Sequence, residues 1–264
     1  MSAIAWATQR YRRFINAHSG SAVVLLYHRL IDDDQPDPER LGISSELFAA
    51  HLAMIAENFA TPSLSEICER LRAGQRLPRS SVCVTFDDGY RDNFERALPL
   101  LEAAGIPATF FIATLPLEGC FFAWDEGLYP PSRHAALYAD EALLRQVARG
   151  PLVTLGAHTH THRRLSTLAP EEARADIARN LELLSPLCGQ MPRLFSYPFG
   201  DPDSYTPQIV EVVRSFDFDG AFTTTFGTLR ARRDPALLMR YYPAAQSAGE
   251  LARRLRAYFG DTLY

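Results

Sequence analysis

The sequence has few cysteines, no long apolar run and no strong charge of either sign. Its four cysteines are widely spaced and form no Cys-x-x-Cys pair, which favours free thiols in a reducing compartment. No apolar stretch reaches the roughly 20 residues that a membrane-spanning helix needs. The net charge of −4 at pH 7 argues against a protein that binds nucleic-acid polymers.

The first 18 residues also lack a signal-peptide core, because three arginines interrupt it early. We therefore expect a cytoplasmic location. Residues 1–20 are predicted to form an N-terminal amphipathic helix, with one apolar face made by Ile4, Ala7, Tyr11, Phe14 and Ile15. This helix either packs on the rest of the protein or, through residues 1–18, rests a basic face on the inner surface of the membrane.

Residues 21–264 alternate apolar runs with amphipathic segments, and we interpret them as one domain because no linker or repeat interrupts them. Predicted strands lie at 21–28, 81–84, 106–113, 152–156, 194–197 and 220–223, with a possible seventh at 237–241. Helical patterns fall between most of them. This alternation with short connections predicts a parallel α/β fold, either an open sheet or a barrel.

Polar residues collect just after the predicted strands. His28, Asp87–Asp88, His158–His162 and Ser196–Gly200 all occupy such positions. In a (β/α) barrel these positions open onto a single face, where the active site lies. An irregular segment from 114 to 133 carries four aromatic residues (Phe121, Phe122, Trp124 and Tyr129). It forms either a wall for stacking sugars or a plug at the barrel edge.

The pair Asp87-Asp88 ends the second predicted strand. Two adjacent carboxylates raise each other's pKa unless a cation lies between them. A metal ion could bind one carboxylate and leave the other free as a base. The alternative is a structural turn, because Asp-Gly is a common turn pair and aspartate caps helices well.

Three of the seven histidines fall within five residues, at 158, 160 and 162. In a strand all three would share a face, whereas in a helical turn only His158 and His162 would. In either case two imidazoles can reach one ion, and with one carboxylate they leave open positions on a zinc-like metal. Open positions are typical of a catalytic site. The alternative is a polar loop of hydrogen-bonded histidines.

Three ordered motifs carry a family resemblance: Thr85-Phe86-Asp87-Asp88-Gly89, His158-Thr159-x-x-His162 and Ser196-Tyr197-Pro198-Phe199-Gly200. They resemble the motifs of the polysaccharide deacetylase (NodB-homology) family, the fourth carbohydrate esterase family, over most of the chain. The resemblance implies a deformed (β/α)7 barrel and a hydrolase that removes an N-acyl group, usually N-acetyl, from an amino sugar.

The same resemblance implies residue roles. Asp87 would be the general base, and Asp88, His158 and His162 would bind one divalent metal ion, with zinc preferred and cobalt, nickel or iron as alternatives. The backbone N–H of Phe199 would help to bind the oxyanion.

Two departures from the family pattern matter. Ser196 stands where the family commonly has an arginine that orients the base, and Arg240 is our candidate replacement, the alternative being a surface or structural ion pair. The usual C-terminal histidine acid is absent, because no histidine follows His162. We expect His28 to be the general acid, as in a circularly permuted branch of the family, the alternative being a histidine that only caps the first strand.

The absent signal peptide favours a lipid-linked or nucleotide-linked glycan as the substrate over a finished wall polymer. A deformylase of a lipid-linked amino sugar is a close variant. A non-catalytic carbohydrate-binding protein on a degenerate deacetylase fold is the alternative from another class. A phosphohydrolase is disfavoured because the sequence shows no second ligand cluster.

Overall fold

The computed structural model describes residues 20–31, 37, 40–126, 128–129, 136–230, 233–243 and 246–260. The predicted helix over residues 1–20 and its membrane contact therefore lie outside the described residues, apart from Gly20. No helix among the described residues is long and apolar enough to span a bilayer.

Six parallel strands form the main sheet, in the order β1-β4-β5-β6-β7-β8. The strands are β1 (Ala22–Tyr27), β2 (Arg29–Leu30), β3 (Gly42–Ile43), β4 (Ser81–Phe86), β5 (Ala108–Ile112), β6 (Val153–Ala157), β7 (Leu194–Ser196) and β8 (Gly220–Phe222). Strands β2 and β3 pair separately, also in parallel. Strands β1 and β4 are buried along their whole length, as expected for strands covered on both faces.

Helices connect the strands. They are α1 (Ser45–Asn58), α2 (Leu64–Arg72), α3 (Leu98–Ala104), α4 (Ala123–Glu126), α5 (Glu141–Val147), α6 (Pro170–Cys188), α7 (Pro207–Arg214) and α8 (Ala248–Phe259). Helix α1 packs against α3 and α8, and α6 packs against α5 and α7. Helix α5 is absent from the sequence prediction. It has only seven residues, too few to show a clear helical period, and the Asp140 carboxylate caps it by accepting from Leu143 N–H at 2.8 Å.

The possible seventh strand takes its predicted place, but it contributes only isolated bridges. Leu238 bridges Phe222 of β8, and Tyr241 bridges Leu25 of β1, both in parallel. Tyr241 N–H donates to Val24 at 2.8 Å and its carbonyl accepts from Leu26 N–H at 2.9 Å. Segment 238–241 therefore lies between the two edge strands and closes the curled sheet, which confirms the predicted deformed barrel.

Alternation along the strands separates the barrel interior from its outer face. Val23, Leu25 and Tyr27 of β1 join the core beneath α1, α3 and α8. Ala22 and Val24 instead pack in a second cluster with Phe111 and Phe222. Leu26, the next residue on that inner face, lines a cavity. The interior is thus filled with apolar side chains at one end and open beyond the carboxyl ends of the strands.

Candidate active site and metal centre

The turn after β4 directs two adjacent carboxylates to different partners. Asp87 N–H continues the pairing with β1 by donating to Tyr27 at 3.0 Å. Asp88 and Gly89 then both adopt positive φ, 74° and 84°. A non-glycine residue in this region is strained and is often found at functional sites. The abrupt turn buries both carboxylates, with Asp87 and Asp88 only 3% and 4% exposed.

Three potential metal ligands converge beside this turn. Asp88 Oδ1 lies 3.0 Å from His162 Nε2 and 3.3 Å from His158 Nε2, and the two nitrogens are 3.2 Å apart. Ligands bonded to one ion at about 2.0–2.2 Å lie roughly 2.8–3.6 Å from one another. Asp88 Oδ1 is buried and has no partner of hydrogen-bond geometry among the described residues. Two imidazoles and a carboxylate in this arrangement fit one divalent ion.

The loop after β6 explains why His158 and His162 converge. The strand ends at Ala157, and Thr159 and His162 both have positive φ, 62° and 53°. Asn180 of α6, which is fully buried, holds this loop by donating to the Thr159 carbonyl at 2.6 Å. His160 turns away from the ligands and places Nε2 3.4 Å from Glu118 Oε2. Two histidines, rather than three, therefore share the site.

The tautomer of His158 suits a metal ligand. Its Nδ1 lies 2.8 Å from the Ser196 carbonyl oxygen. A carbonyl can only accept, so Nδ1 carries the hydrogen and Nε2 offers its lone pair to the site. Such support for the second ring nitrogen is common for histidine ligands.

Asp87 is held on its other side by Arg240. The Arg240 guanidinium donates to Asp87 Oδ1 at 2.6 Å and to Oδ2 at 2.7 Å, a bidentate pair inside the barrel. It also donates to Ser196 Oγ at 2.7 Å, and this hydroxyl donates to Asp87 Oδ2 at 3.2 Å. Arg240 has no exposed surface, so the alternative of a surface ion pair is excluded.

The charges of the site control its protonation. Burial alone would raise the pKa of Asp87, but Arg240 and then His158 more than offset it and hold that pKa below the ordinary value. Burial also opposes ionisation of Asp88, yet the neighbouring imidazoles hold its pKa well below the ordinary value. For His158, burial lowers the pKa, but Asp87 and Asp88 outweigh it and raise the pKa overall.

These groups line one cavity of about 330 Å³, bounded by Leu26, His28, Leu41, Asp87, Asp88, Trp124, His158, His162, Phe199, Asp201, Thr224 and Tyr242. His28 follows β1 and packs edge-on against Tyr242 at 5.9 Å between ring centroids. Burial lowers the pKa of His28, although Asp88 and Asp87 partly oppose the shift. All the site residues predicted from the sequence therefore lie in this cavity or, for Arg240, in direct contact with it through Asp87.

Phe199 occupies the cavity rim in a strained conformation, with φ of 62°. Its side chain packs against the His162 ring, with ring centroids 5.1 Å apart, and the Arg164 guanidinium lies over its other face at 4.4 Å. Thr224 Oγ1 donates to the Phe199 carbonyl at 2.9 Å. Contacts from two neighbouring loops thus fix the backbone at this position.

The aromatic residues of segment 114–133 divide between the two predicted roles, a plug at the barrel edge and a wall that contacts the sugar. Phe122 and Tyr129 are buried and act as packing. Trp124 lines the cavity, stacks on Phe122 at 4.5 Å and packs edge-on against His162 at 5.0 Å. Its indole N–H donates to Tyr90 Oη at 3.2 Å. Only Trp124 of these rings is therefore placed to contact a ligand in the cavity.

Several supporting residues were missed by the sequence reasoning. Asn180 and Tyr242 carry no local motif and reach the site through tertiary contacts, whereas Arg164 and Asp201 closely follow His162 and Gly200 of the predicted motifs. Tyr242 follows Arg240 closely, so a search for polar residues beside the predicted seventh strand could have found it.

Comparisons with known proteins agree with this geometry. The sequence model of the family described as "Polysaccharide deacetylase" matches residues 74–221. The poly-β-1,6-N-acetyl-D-glucosamine N-deacetylase of Escherichia coli K12 is 25% identical over 252 residues, covering 81% of this chain but only 35% of that protein. YxkH of Bacillus subtilis, whose own assignment as a polysaccharide deacetylase is provisional, is 23% identical over 215 residues and covers 81% of this chain and 67% of YxkH.

Solved structures show the same fold. The deacetylase PplD of Streptococcus pyogenes, determined with acetate, superposes with a TM-score of 0.75 at 19% identity, over 89% of this chain and 98% of PplD. IcaB of Ammonifex degensii gives 0.74 at 24% identity, over 92% of this chain and 98% of IcaB. Since the family match extends over more than half of the sequence, the chain belongs to the polysaccharide deacetylase family and is a hydrolase of carbon–nitrogen bonds in sugars, as predicted.

Proposed function

We propose that this protein removes an N-acyl group, most often N-acetyl, from an amino sugar in a metal-dependent hydrolysis. The observation that carries the proposal is the division of labour within the Asp87-Asp88 pair. Asp88 joins His158 and His162 in a ligand set, while Asp87 is held out of that set by Arg240. A binding protein has no need of a second, separately oriented carboxylate, so this arrangement favours catalysis over the non-catalytic alternative.

Asp88, His158 and His162 would hold the ion. When bound, a divalent ion supplies Lewis-acid polarisation of an acyl carbonyl and lowers the pKa of a water molecule. Zinc suits two imidazoles and a carboxylate, and cobalt, nickel or iron are compatible with the same donors.

Asp87 is proposed as the general base. Its pKa lies below the ordinary value, so it is ionised at neutral pH and can accept the proton of the attacking water. Arg240 and Ser196 fix the carboxylate through three hydrogen bonds, and this orientation is the contribution of Arg240 to the reaction. Arg240 thereby takes the place of the arginine that the family motif usually supplies.

Collapse of the tetrahedral intermediate needs an oxyanion donor and an acid. The Phe199 N–H is proposed as the donor, because the strained backbone at this position is fixed on the cavity rim. His28 is proposed as the acid that protonates the amine nitrogen as the carbon–nitrogen bond breaks, which releases a carboxylate and a free amine. Because burial lowers the pKa of His28, its imidazole is neutral at rest and must take up a proton before this step. Its position after β1 agrees with an N-terminal acid, and the circular permutation itself stays a prediction.

The charges of the cavity walls support a substrate class. The lining found among the described residues includes three carboxylates, Asp87, Asp88 and Asp201, and no arginine. This favours a neutral N-acetylated amino sugar at the reacting position over a diphosphate. A lipid-linked or nucleotide-linked glycan remains possible only with its phosphates outside this cavity, and that substrate, the deformylase variant and the cytoplasmic location stay predictions.

The test is release of free amine from N-acetylated glucosamine oligomers. The sequence contains no lysine, so amine-reactive dyes have little protein background. We expect Asp87→Asn to keep one bound metal ion and lose turnover, His158→Ala to lose both, and Asp217→Asn, an exposed control, to keep both. Full activity in Asp87→Asn would refute the assigned base. A metal-loaded wild-type protein that deacylates no N-acyl amino sugar would refute the function.

A further inference from the structure

A third buried histidine, besides His158 and His162, lies outside the cavity and takes no part in the proposed reaction. His51 of α1 has no exposed surface. Its Nε2 lies 2.7 Å from the Gln246 carbonyl oxygen, and its Nδ1 lies 3.0 Å from Tyr27 Oη. Burial lowers its pKa, so the ring is neutral at pH 7.

The chemistry of the two partners fixes the direction of both hydrogen bonds. A backbone carbonyl can only accept, so Nε2 carries the single hydrogen of the neutral ring. Nδ1 must then accept, and Tyr27 must donate. The chain Tyr27–His51–Gln246 therefore has one allowed arrangement, in which every buried polar atom of the imidazole is satisfied.

The two ends of this chain adjoin different parts of the proposed machinery. Tyr27 is the last residue of β1 and directly precedes His28. Gln246 accepts a hydrogen bond from Tyr241 Oη at 2.9 Å through its side chain, and Tyr241 directly follows Arg240. The proposed acid is thus one residue from Tyr27, a direct partner of His51. The arginine that orients the base is one residue from Tyr241, which is linked to His51 through Gln246.

These two segments also meet at a weakly paired join of the barrel. Between β1 and segment 238–241 there is one isolated bridge, Leu25 with Tyr241, instead of a continuous ladder. The hydrogen-bonded series Tyr27–His51–Gln246 crosses this join on the outer face of the barrel. On that face Tyr27 also packs on Phe48, with ring centroids 5.0 Å apart.

We infer that His51 is a positioning residue, which fixes the seam between β1 and segment 238–241 and so sets the relative placement of His28 and Arg240. This inference rests on the proposed function for its catalytic consequence, but the seam itself can be measured without activity. Displacement of a catalytic group by about 1 Å is enough to lower turnover about 100-fold. Among the described residues, the hydrogen bonds and ring contacts of His51 go to Tyr27 and to the Gln246 carbonyl, and none reaches a proposed metal ligand or a cavity-lining residue. Its loss should therefore leave metal binding and KM in place.

The experiment compares His51→Phe, His51→Gln and Tyr27→Phe with Ser81→Ala, a control that removes one partly buried hydrogen bond to the Pro78 carbonyl at the far end of β4. Glutamine can donate and accept as the imidazole does, whereas phenylalanine can do neither. We expect His51→Phe to lower kcat about tenfold or more, with KM and metal content within about twofold. Glutamine should restore most of kcat, and Ser81→Ala should be unchanged.

Two further measurements do not depend on activity. Hydrogen exchange at the Leu26 and Tyr241 amides should accelerate in His51→Phe and Tyr27→Phe, and ¹⁵N NMR of wild-type protein should show the Nε2–H tautomer of His51. Unchanged exchange at both amides, or unchanged kcat in a folded His51→Phe or Tyr27→Phe, would overturn the inference. If the two amides exchange faster in the variants and the wild-type ring shows the Nε2–H tautomer, but the wild-type protein has no deacylase activity, only the proposed function is refuted.

Discussion

Replacing Arg240 with methionine leaves the Asp87 carboxylate buried without its bidentate partner. The two hydrogen bonds of 2.6 and 2.7 Å are lost, and no solvent replaces them because Arg240 is fully buried. Removing one partner of such a pair lowers the free energy of unfolding by about 3–5 kcal/mol. We expect that loss at neutral pH, with turnover reduced about 100-fold or more since Asp87 is no longer oriented.

The pH dependence of the free energy of unfolding should differ between the wild-type and Arg240→Met proteins in a defined direction. In the wild-type protein the pKa of Asp87 lies below its ordinary value of 3.8, so the stabilisation is present above that pH and is lost only as pH falls through the lowered pKa. In the Arg240→Met protein burial becomes the dominant influence and raises that pKa. Stability of the variant then falls as pH rises through the raised value. The difference in stability between the two proteins therefore widens from about pH 4 to about pH 7.

The assay is equilibrium urea unfolding with EDTA, followed by circular dichroism at about pH 4.5 and about pH 7. Arg193→Met is the matched control, because Arg193 pairs with Asp217 and Asp219 while its side chain is 43% exposed. A solvated pair contributes far less to stability. The reasoning is refuted if Arg240→Met is as stable as the control at neutral pH, or if its deficit does not grow between the two pH values.

Three further predictions concern the cavity. Because Asp87 and Asp88 overcome burial and raise the pKa of His158, metal binding should release protons, and calorimetric heats that do not vary with buffer ionisation enthalpy would contradict this. His28→Ala should lower kcat about 100-fold or more on amides, but far less on 4-nitrophenyl acetate, whose nitrophenolate can leave without a proton. Equal losses on the two substrates would place the acid elsewhere. Trp124→Ala should raise KM for oligosaccharides about three- to tenfold at constant metal content. The increase should be larger than in Trp124→Phe, and an unchanged KM would show that Trp124 is not part of the binding surface.

The sequence is sufficient for those parts of the site that are local in the chain. Asp87, Asp88, His158 and His162 lie in short motifs at strand ends, and parallel strands bring such ends to one side of a barrel. The spacing of the histidines alone did not decide between two and three ligands, and only the family resemblance selected His158 and His162. In the structure the choice depends on Asn180, a residue of α6 that fixes the loop through a contact 21 residues away.

Long-range partners account for most of what sequence reasoning missed. From the sequence, Arg240 is either the replacement arginine or part of another ion pair. The structure places it 2.6 Å from the carboxylate of Asp87, 153 residues earlier. His51 was not considered, because a lone histidine among the apolar residues of α1 carries no pattern. The seventh strand was placed correctly but is reduced to bridges, and the Arg240 N–H donates to the Thr225 carbonyl at 3.2 Å instead of to a neighbouring strand.

Four non-glycine residues with positive φ, Asp88, Thr159, His162 and Phe199, surround one small volume. Glycine would relieve the strain at each of them, so a selection for thermostability alone would be drawn to these positions. Glycine at Asp88 or His162 would remove a proposed metal ligand. At Thr159 it would remove the hydroxyl that accepts from the His162 N–H, and at Phe199 it would remove the ring that holds the proposed oxyanion donor in place. Stabilising substitutions should therefore be sought on the outer helices. In the active site, the strained backbone conformations are what hold the functional groups in their arrangement.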